Sequence, residues 1–188
     1  MRQLILVKHS LPEIIPEVSA AQWRLSEAGR RRCAPLAERL AHYCPAVIVA
    51  SAEPKAHETA QIVAESLGLP CATAEGLHEH DRSNVAWSAA EDFEASIDRF
   101  FAHPAALVLG RETAEQARKR FTRAVNGVLE TYPAGNLAIV AHGTVIALFV
   151  ATHTGLDPYL FWRRLGLPSF IVLALPDLEI VETVEQVV

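Results

Sequence analysis

Three short apolar runs constrain the chain most, because each is followed at once by residues with chemistry to offer. Leu4–Val7 leads into Lys8-His9-Ser10, Val47–Ala50 into Ser51 and then Pro54-Lys55, and Leu137–Ala141 into His142-Gly143. Four or five consecutive apolar residues bounded by polar ones read as strands covered on both faces, the habit of parallel sheets flanked by helices. In such sheets the carboxyl ends of the strands open into the crevice where ligands bind. The expected fold is therefore α/β, a three-layer α/β/α sandwich with a mostly parallel central sheet.

Neighbouring strands would bring Lys8, His9, Lys55, His142 and a helix N-terminus into one crevice. That combination suits a phosphate group. Pro54 fits the first turn of the helix after Ser51. Lys55 then sits where a cation is electrostatically unfavourable unless something negative is near, which reads as a phosphate contact.

The remaining segments give the expected helices and strands. Ser26 is a suitable N-cap for a helix through Ala41 with Leu36, Ala37, Leu40 and Ala41 inward, and Gly68 ends the helix from Pro54 to Leu67. The Leu11–Trp23 segment, with two prolines, reads as a loop near the mouth of the site. A short strand near Cys71 to Thr73 precedes Leu77-His78-Glu79-His80-Asp81-Arg82, a run dense in titratable groups. A carboxylate whose pKa is raised by burial could donate a proton from here; Glu79 has first claim, with Asp81 and His80 in reserve. His78 and His80 have His-x-His spacing, but the fuller His-x-His-x-Asp-His pattern is not met, and no metal is expected. Ser88-Ala89-Ala90-Glu91 is a capping box before Phe93, Ile97, Phe100 and Phe101. This helix or its lead-in, Arg82 to Trp87, could form one wall of the substrate pocket, and Trp87 is either a specificity contact or packing. Thr113 and Gln116 open the next helix in the same way. Ser169–Leu175 and the edge segment Leu178–Val184 complete the strands.

Size and charge narrow the function. At 188 residues, 51% of them apolar, residues 1–188 fit a single domain with a sizeable core. A net charge of −5 recommends neither nucleic acid nor an anionic membrane as partner. The longest apolar run, Val145–Ala151, falls far short of the roughly 20 residues that span a bilayer. With no secretory apolar segment near Met1, a cytoplasmic protein is expected. Cys33, Cys44 and Cys71 are odd in number without C-x-x-C spacing, so buried or half-buried thiols are expected.

Lys8-His9-Ser10, Ser51-x-x-Pro54-Lys55-Ala56-x-x-Thr59-Ala60, Leu77-x-Glu79, Gly110-x-Glu112-Thr113 and His142-Gly143 follow in an order that resembles the histidine phosphatase superfamily, the phosphoglycerate-mutase-like proteins. The resemblance covers Leu4 to about Thr154. It implies that His9 is a nucleophile that becomes phosphorylated, that His142 with Lys8 and Lys55 holds the phosphoryl oxygens, and that Glu79 protonates the leaving group. It implies a metal-independent phosphatase without cofactor, acting on a small phosphorylated substrate or a phosphoprotein. The family motif has arginine where this chain has Lys8 and Lys55, and lysine lacks the planar fork that grips two oxygens at once. The alternative is a weak or inactive phosphate-binding or interaction protein; a mutase and a metallohydrolase are more distant readings.

Overall fold

The alternation along the first strand sets the layers. The structure, a computed structural model, describes residues 1–86 and 90–188. In β1 (Gln3–Lys8), Leu4 to Val7 are all fully buried, Leu4 and Leu6 toward one face of the sheet and Ile5 and Val7 toward the other. Helices α1 (Glu27–Ala41) and α2 (Pro54–Leu67) cover the Ile5 and Val7 face through Cys33, Leu36 and Leu40 and through Ala56, Ala60 and Val63. On the Leu4 and Leu6 face lie α3 (Ala90–Ala102), α4 (Ala114–Thr131), α5 (Gly143–Thr154) and α6 (Pro158–Arg164). Residues 143–150 of α5 are all buried, so this helix is apolar all round rather than striped.

The other strands are β2 (Pro45–Ala50), β3 (Cys71–Thr73), β4 (Asn136–Ala141), β5 (Ser169–Ala174) and β6 (Glu179–Val184). They form one six-stranded sheet in the order β3-β2-β4-β1-β5-β6. The first four strands in that order pair in parallel, and β5 and β6 add antiparallel at one side. The expected α/β architecture with a mostly parallel sheet is what the chain adopts. Lys8 pairs with Ala141 and Ala50 with Val140, so β1, β2 and β4 end at nearly the same level. Ladder bonds from His9 N–H to Ala141 (3.0 Å) and from Ser51 N–H to Val140 (2.9 Å) carry the pairing one residue further.

Local signals hold at the three helix ends marked most clearly in the sequence. Ser26 Oγ accepts the Gly29 N–H, Gly68 closes α2 in the left-handed conformation (φ 66°), and Thr113 and Gln116 bond reciprocally across the first turn of α4. Arg30, Arg31 and Arg32 reach three different partners, Glu58, Glu27 and the Leu167 carbonyl, as neighbours fanning round a helix must. Three expectations need correction. Ala41, in the last turn of α1, is exposed rather than inward; Cys44 and Cys71 are exposed while Cys33 alone is buried. Helix α6 occupies a stretch without a clear sequence signal. Trp87, Ser88 and Ala89, and with them the expected capping box, lie outside the described residues. Among the described residues, no helix is long and apolar enough to cross a membrane.

The segment after β1 is clamped to the start of α1. Leu11 O accepts the Ser26 N–H (3.1 Å) and Oγ–H (3.0 Å), and a Cβ on Gly29 would stand 2.0 Å from that same carbonyl. Gly29→Ala must push these two backbones apart, and it is expected to lower stability by about 1–3 kcal/mol in urea denaturation. An unchanged midpoint would contradict the close approach.

Candidate active site

His9 follows β1 and His142 follows β4, and because these strands are hydrogen-bonded neighbours the two rings meet edge to face with centroids 5.2 Å apart. Both are buried. His9 Nδ1 lies 2.7 Å from the Ser10 carbonyl. A carbonyl can only accept, so Nδ1 carries the hydrogen and Nε2 the lone pair. Ser10 is itself held, its N–H by Thr59 Oγ1 (3.0 Å) and its Oγ–H by the Gly29 carbonyl (2.7 Å). Burial, the nearby His142 and Lys55 keep the His9 pKa well below its ordinary value, the Ser10 bond opposing them, so the ring is neutral near pH 7. His142 is held neutral in the same direction, by burial first and then by Lys55. Its Nε2 is 2.9 Å from Ser51 Oγ and 3.7 Å from Glu53 Oε1.

Lys8 and Lys55 both enter this crevice. Lys8 is lowered to about 8 by burial, an effect that Glu79 opposes and Arg82 reinforces. Its Nζ donates to the Leu165 carbonyl (2.6 Å) between α6 and β5. The side chain crosses the first turn of α5 so closely that a Cβ on Gly143 would stand 3.0 Å from Lys8 Cε. Lys55 Nζ donates to the Ala20 carbonyl (2.7 Å), which brings the Leu11–Trp23 loop onto the site as expected, and to Glu53 Oε2 (2.5 Å). The negative group that the position of Lys55 demands is therefore present in the chain, as Glu53, and no phosphate is needed to account for it. Glu53 Oε1 also accepts the Glu79 N–H (2.8 Å).

Glu79 stands beside His142 at the start of α5, where its Oε2 accepts the Thr144 N–H (3.2 Å) and its Oε1 the His80 N–H (2.8 Å). Arg82 Nη2 is 3.6 Å from Oε2. Burial alone would raise this carboxyl, but Arg82, His142 and the two backbone N–H groups outweigh it and hold Glu79 well below the usual carboxylate range. The expected raised pKa is thus corrected: the helix N-terminus and Arg82 keep Glu79 ionised. Asp81 is engaged elsewhere, its Oδ1 taking the Ser83 N–H (3.0 Å) and Oγ–H (2.7 Å). His80 packs on Phe100 at 4.2 Å and has Nε2 2.8 Å from the Glu112 carbonyl. Among the described residues, no three His, Cys, Asp or Glu side chains converge as a metal site.

Three residues that matter here carried no electrostatic role in the sequence. Glu53 stands two residues before Lys55 and could have been found as its counter-charge. Arg82 closed the titratable run and was expected only as the start of a pocket wall. Arg120, on α4, binds the carbonyls of Gly76 (2.8 Å), His78 (2.8 Å) and Glu79 (3.1 Å) and pairs with Glu112, so it fixes the loop that presents Glu79. That role rests on residues more than 40 positions away in sequence and had no local signal.

With Lys8, Lys55 and Arg82 against Glu53 and Glu79, the crevice carries one net positive charge while both imidazoles are neutral. This net positive charge lies beside a neutral, oriented imidazole. The histidine phosphatase superfamily (branch 1) matches residues 7–176, and the chain belongs to this family. It is 28% identical over 141 residues, 75% of this chain and 70% of the relative, to the uncharacterized phosphatase PhoE of Bacillus subtilis strain 168. Solved structures share the phosphoglycerate-mutase-like fold. A mutant phosphoserine phosphatase from Entamoeba histolytica in complex with phosphoserine aligns with TM-score 0.77 at 15% identity, over 97% of this chain and 96% of that one. YhfR of Bacillus stearothermophilus aligns with TM-score 0.75 at 20% identity, over 96% of each.

Lys8 loses its charge as pH rises through about 8. Affinity for inorganic phosphate, measured by calorimetry between about pH 7.5 and 9.5, is therefore expected to fall through that midpoint. Lys8→Arg removes the fall, since guanidinium does not titrate in this range. A fall that persists in Lys8→Arg would assign it to another group.

Proposed function

We propose that this protein is a metal-independent phosphatase that hydrolyses a phosphomonoester through a phosphohistidine on His9. The observation that carries the reading is the bond from His9 Nδ1–H to the Ser10 carbonyl, which leaves the lone pair on Nε2 of a neutral, buried ring. A phosphorus nucleophile needs that lone pair, that tautomer and an orientation fixed before substrate arrives. Family membership and the phosphatase relative support the reaction class.

Nε2 attacks phosphorus and the bond to the leaving oxygen breaks, its electron pair going to that oxygen. Lys8, Lys55 and the N–H of His142 stabilise charge on the other phosphoryl oxygens. Glu79 then hands a proton to the departing alkoxide. Because Glu79 is ionised in the unliganded site, the proton enters with the substrate as its monoanion, whose second proton titrates at about 6. In the second step Glu79 takes a proton from water, the oxygen of that water attacks phosphorus, and the P–N bond returns its pair to Nε2. Glu79 returns that proton to inorganic phosphate, which leaves as its monoanion. The substrate is a small phosphorylated molecule or a phosphoprotein side chain, met in the cytoplasm.

One observation favours a second reading, a phosphate-binding member with little turnover: Glu53 already neutralises Lys55 and must yield it to any phosphoryl oxygen. The same assay separates the two. EDTA-treated protein is expected to hydrolyse alkyl phosphates with kcat/KM falling as pH rises above about 6, and His9→Ala should fall to background. In kcat/KM, which reports phosphorylation of His9 and not the later attack of water, Glu79→Gln should lose about 10²–10⁴-fold on alkyl phosphates and much less on para-nitrophenyl phosphate, whose leaving group needs no proton. Phosphate binding without hydrolysis of any ester would establish the second reading.

A further inference from the structure

Lys8 and Lys55 are point charges, and both already donate to acceptors of the protein, Lys8 to Leu165 and Lys55 to Ala20 and Glu53. Neither presents the two parallel N–H groups that match two oxygens of one anion. A guanidinium does, and one lies at this crevice. The Arg82 side chain is 17% exposed, and its Cζ stands 4.9 Å from the centroid of the Phe93 ring, so its plane is supported by an aromatic face. Nη2 faces Glu79 Oε2 at 3.6 Å, outside hydrogen-bond range. Nη1 is buried and, among the described residues, has no hydrogen-bond partner.

Buried donors of native proteins are almost always paired, and a charged one without a partner is the more costly exception. The contact with Glu79 does not resolve it, because at 3.6 Å it is too long for a hydrogen bond and it is made by Nη2, not Nη1. The position is informative too. Arg82 Nη2 lies beside Glu79 Oε2, and its charge is felt at Lys8 and His142. It is therefore near the groups proposed to hold the phosphoryl oxygens and beside the one proposed to protonate the leaving group.

We propose that Arg82 is a substrate-binding residue whose guanidinium turns on substrate entry to bring Nη1, buried in the unliganded site, to an oxyanion that Nη1 and Nη2 then grip, supplying the forked contact that Lys8 and Lys55 lack. The inference rests on the phosphatase reading and deepens it. The oxyanion is either a pair of phosphoryl oxygens or a carboxylate on the leaving group, and the two sources separate experimentally.

Calorimetry with inorganic phosphate and steady-state kinetics with phenyl phosphate and 3-carboxyphenyl phosphate are compared in the parent protein, Arg82→Gln and Arg82→Lys, each checked for an unchanged melting temperature. If Arg82 grips the phosphoryl group, Arg82→Gln weakens inorganic phosphate at least tenfold and slows both esters alike. If it grips a leaving-group carboxylate, phosphate binding is unchanged, and a parent preference of tenfold or more for the carboxyphenyl ester disappears. In either case Arg82→Lys restores less than half of the loss on a logarithmic scale. Full restoration by lysine would overturn the forked contact, and indifference of Arg82→Gln in both assays would overturn the proposal while leaving the phosphatase reading intact. A parent protein that neither binds phosphate nor hydrolyses either ester would overturn both. Should Arg82→Gln melt early, Phe93→Leu, which removes the aromatic support but keeps the charge, must show the same substrate-dependent loss in weaker form, and no loss counts against the proposal.

Discussion

Parallel pairing of β4 with β1 on one side and β2 on the other is the constraint on which the rest depends. Because Lys8 is level with Ala141 and Ala50 with Val140, the residues that follow, His9, Ser51 and His142, emerge together at one end of the sheet. Slipping one strand by a single residue would turn its inward side chains to the opposite face, and every apolar contact of that strand opposes it. The same burial that fixes the register also removes water from both imidazoles. Packing and chemistry thus have one source: a sheet covered on both faces delivers histidines that are held in place and kept neutral.

The electrostatics of the crevice follow from what surrounds those rings. A neutral imidazole that sits among cations has its proton affinity lowered further, and the cations need counter-charges in the unliganded state. Glu53 serves Lys55 directly, and Glu79 lies between the N-terminus of α5 and Arg82. These carboxylates make the empty crevice less positive than its cations alone imply, so an anion exchanges partners on entry rather than meeting bare charge. In the proposed mechanism the consequence for Glu79 is that the proton for the leaving oxygen comes with the substrate.

The sequence made the fold and the two histidines legible for a physical reason. Leu4–Val7, Val47–Ala50 and Leu137–Ala141 are buried on both faces, so hydrophobicity alone marks them, and the residue after each such run is almost forced to the strand end. Contacts made across the fold left no such mark. The Glu79 carboxyl looked set for a raised pKa from its local neighbours, whereas Arg82, three residues on, lowers it most, followed by His142 and the N–H groups of His80 and of Thr144, the last 65 positions on. Leu165, which receives Lys8, lies in a segment with no periodicity to read. Glu53 was legible in principle, since a first-turn lysine calls for a nearby negative charge, but that charge was assigned to substrate. Exposure of Cys44 and Cys71 shows the limit of residue averages at loop ends and short strands.

The most direct test of the central claim is to look for the phosphoryl group on His9. EDTA-treated protein is mixed with a radiolabelled phosphomonoester, quenched in alkali within the first turnover, digested and mapped. The account predicts label on the peptide containing His9, stable in alkali, lost in acid and absent from His9→Ala. Hydrolysis that proceeds with no labelled protein, or label on any other residue, would contradict it.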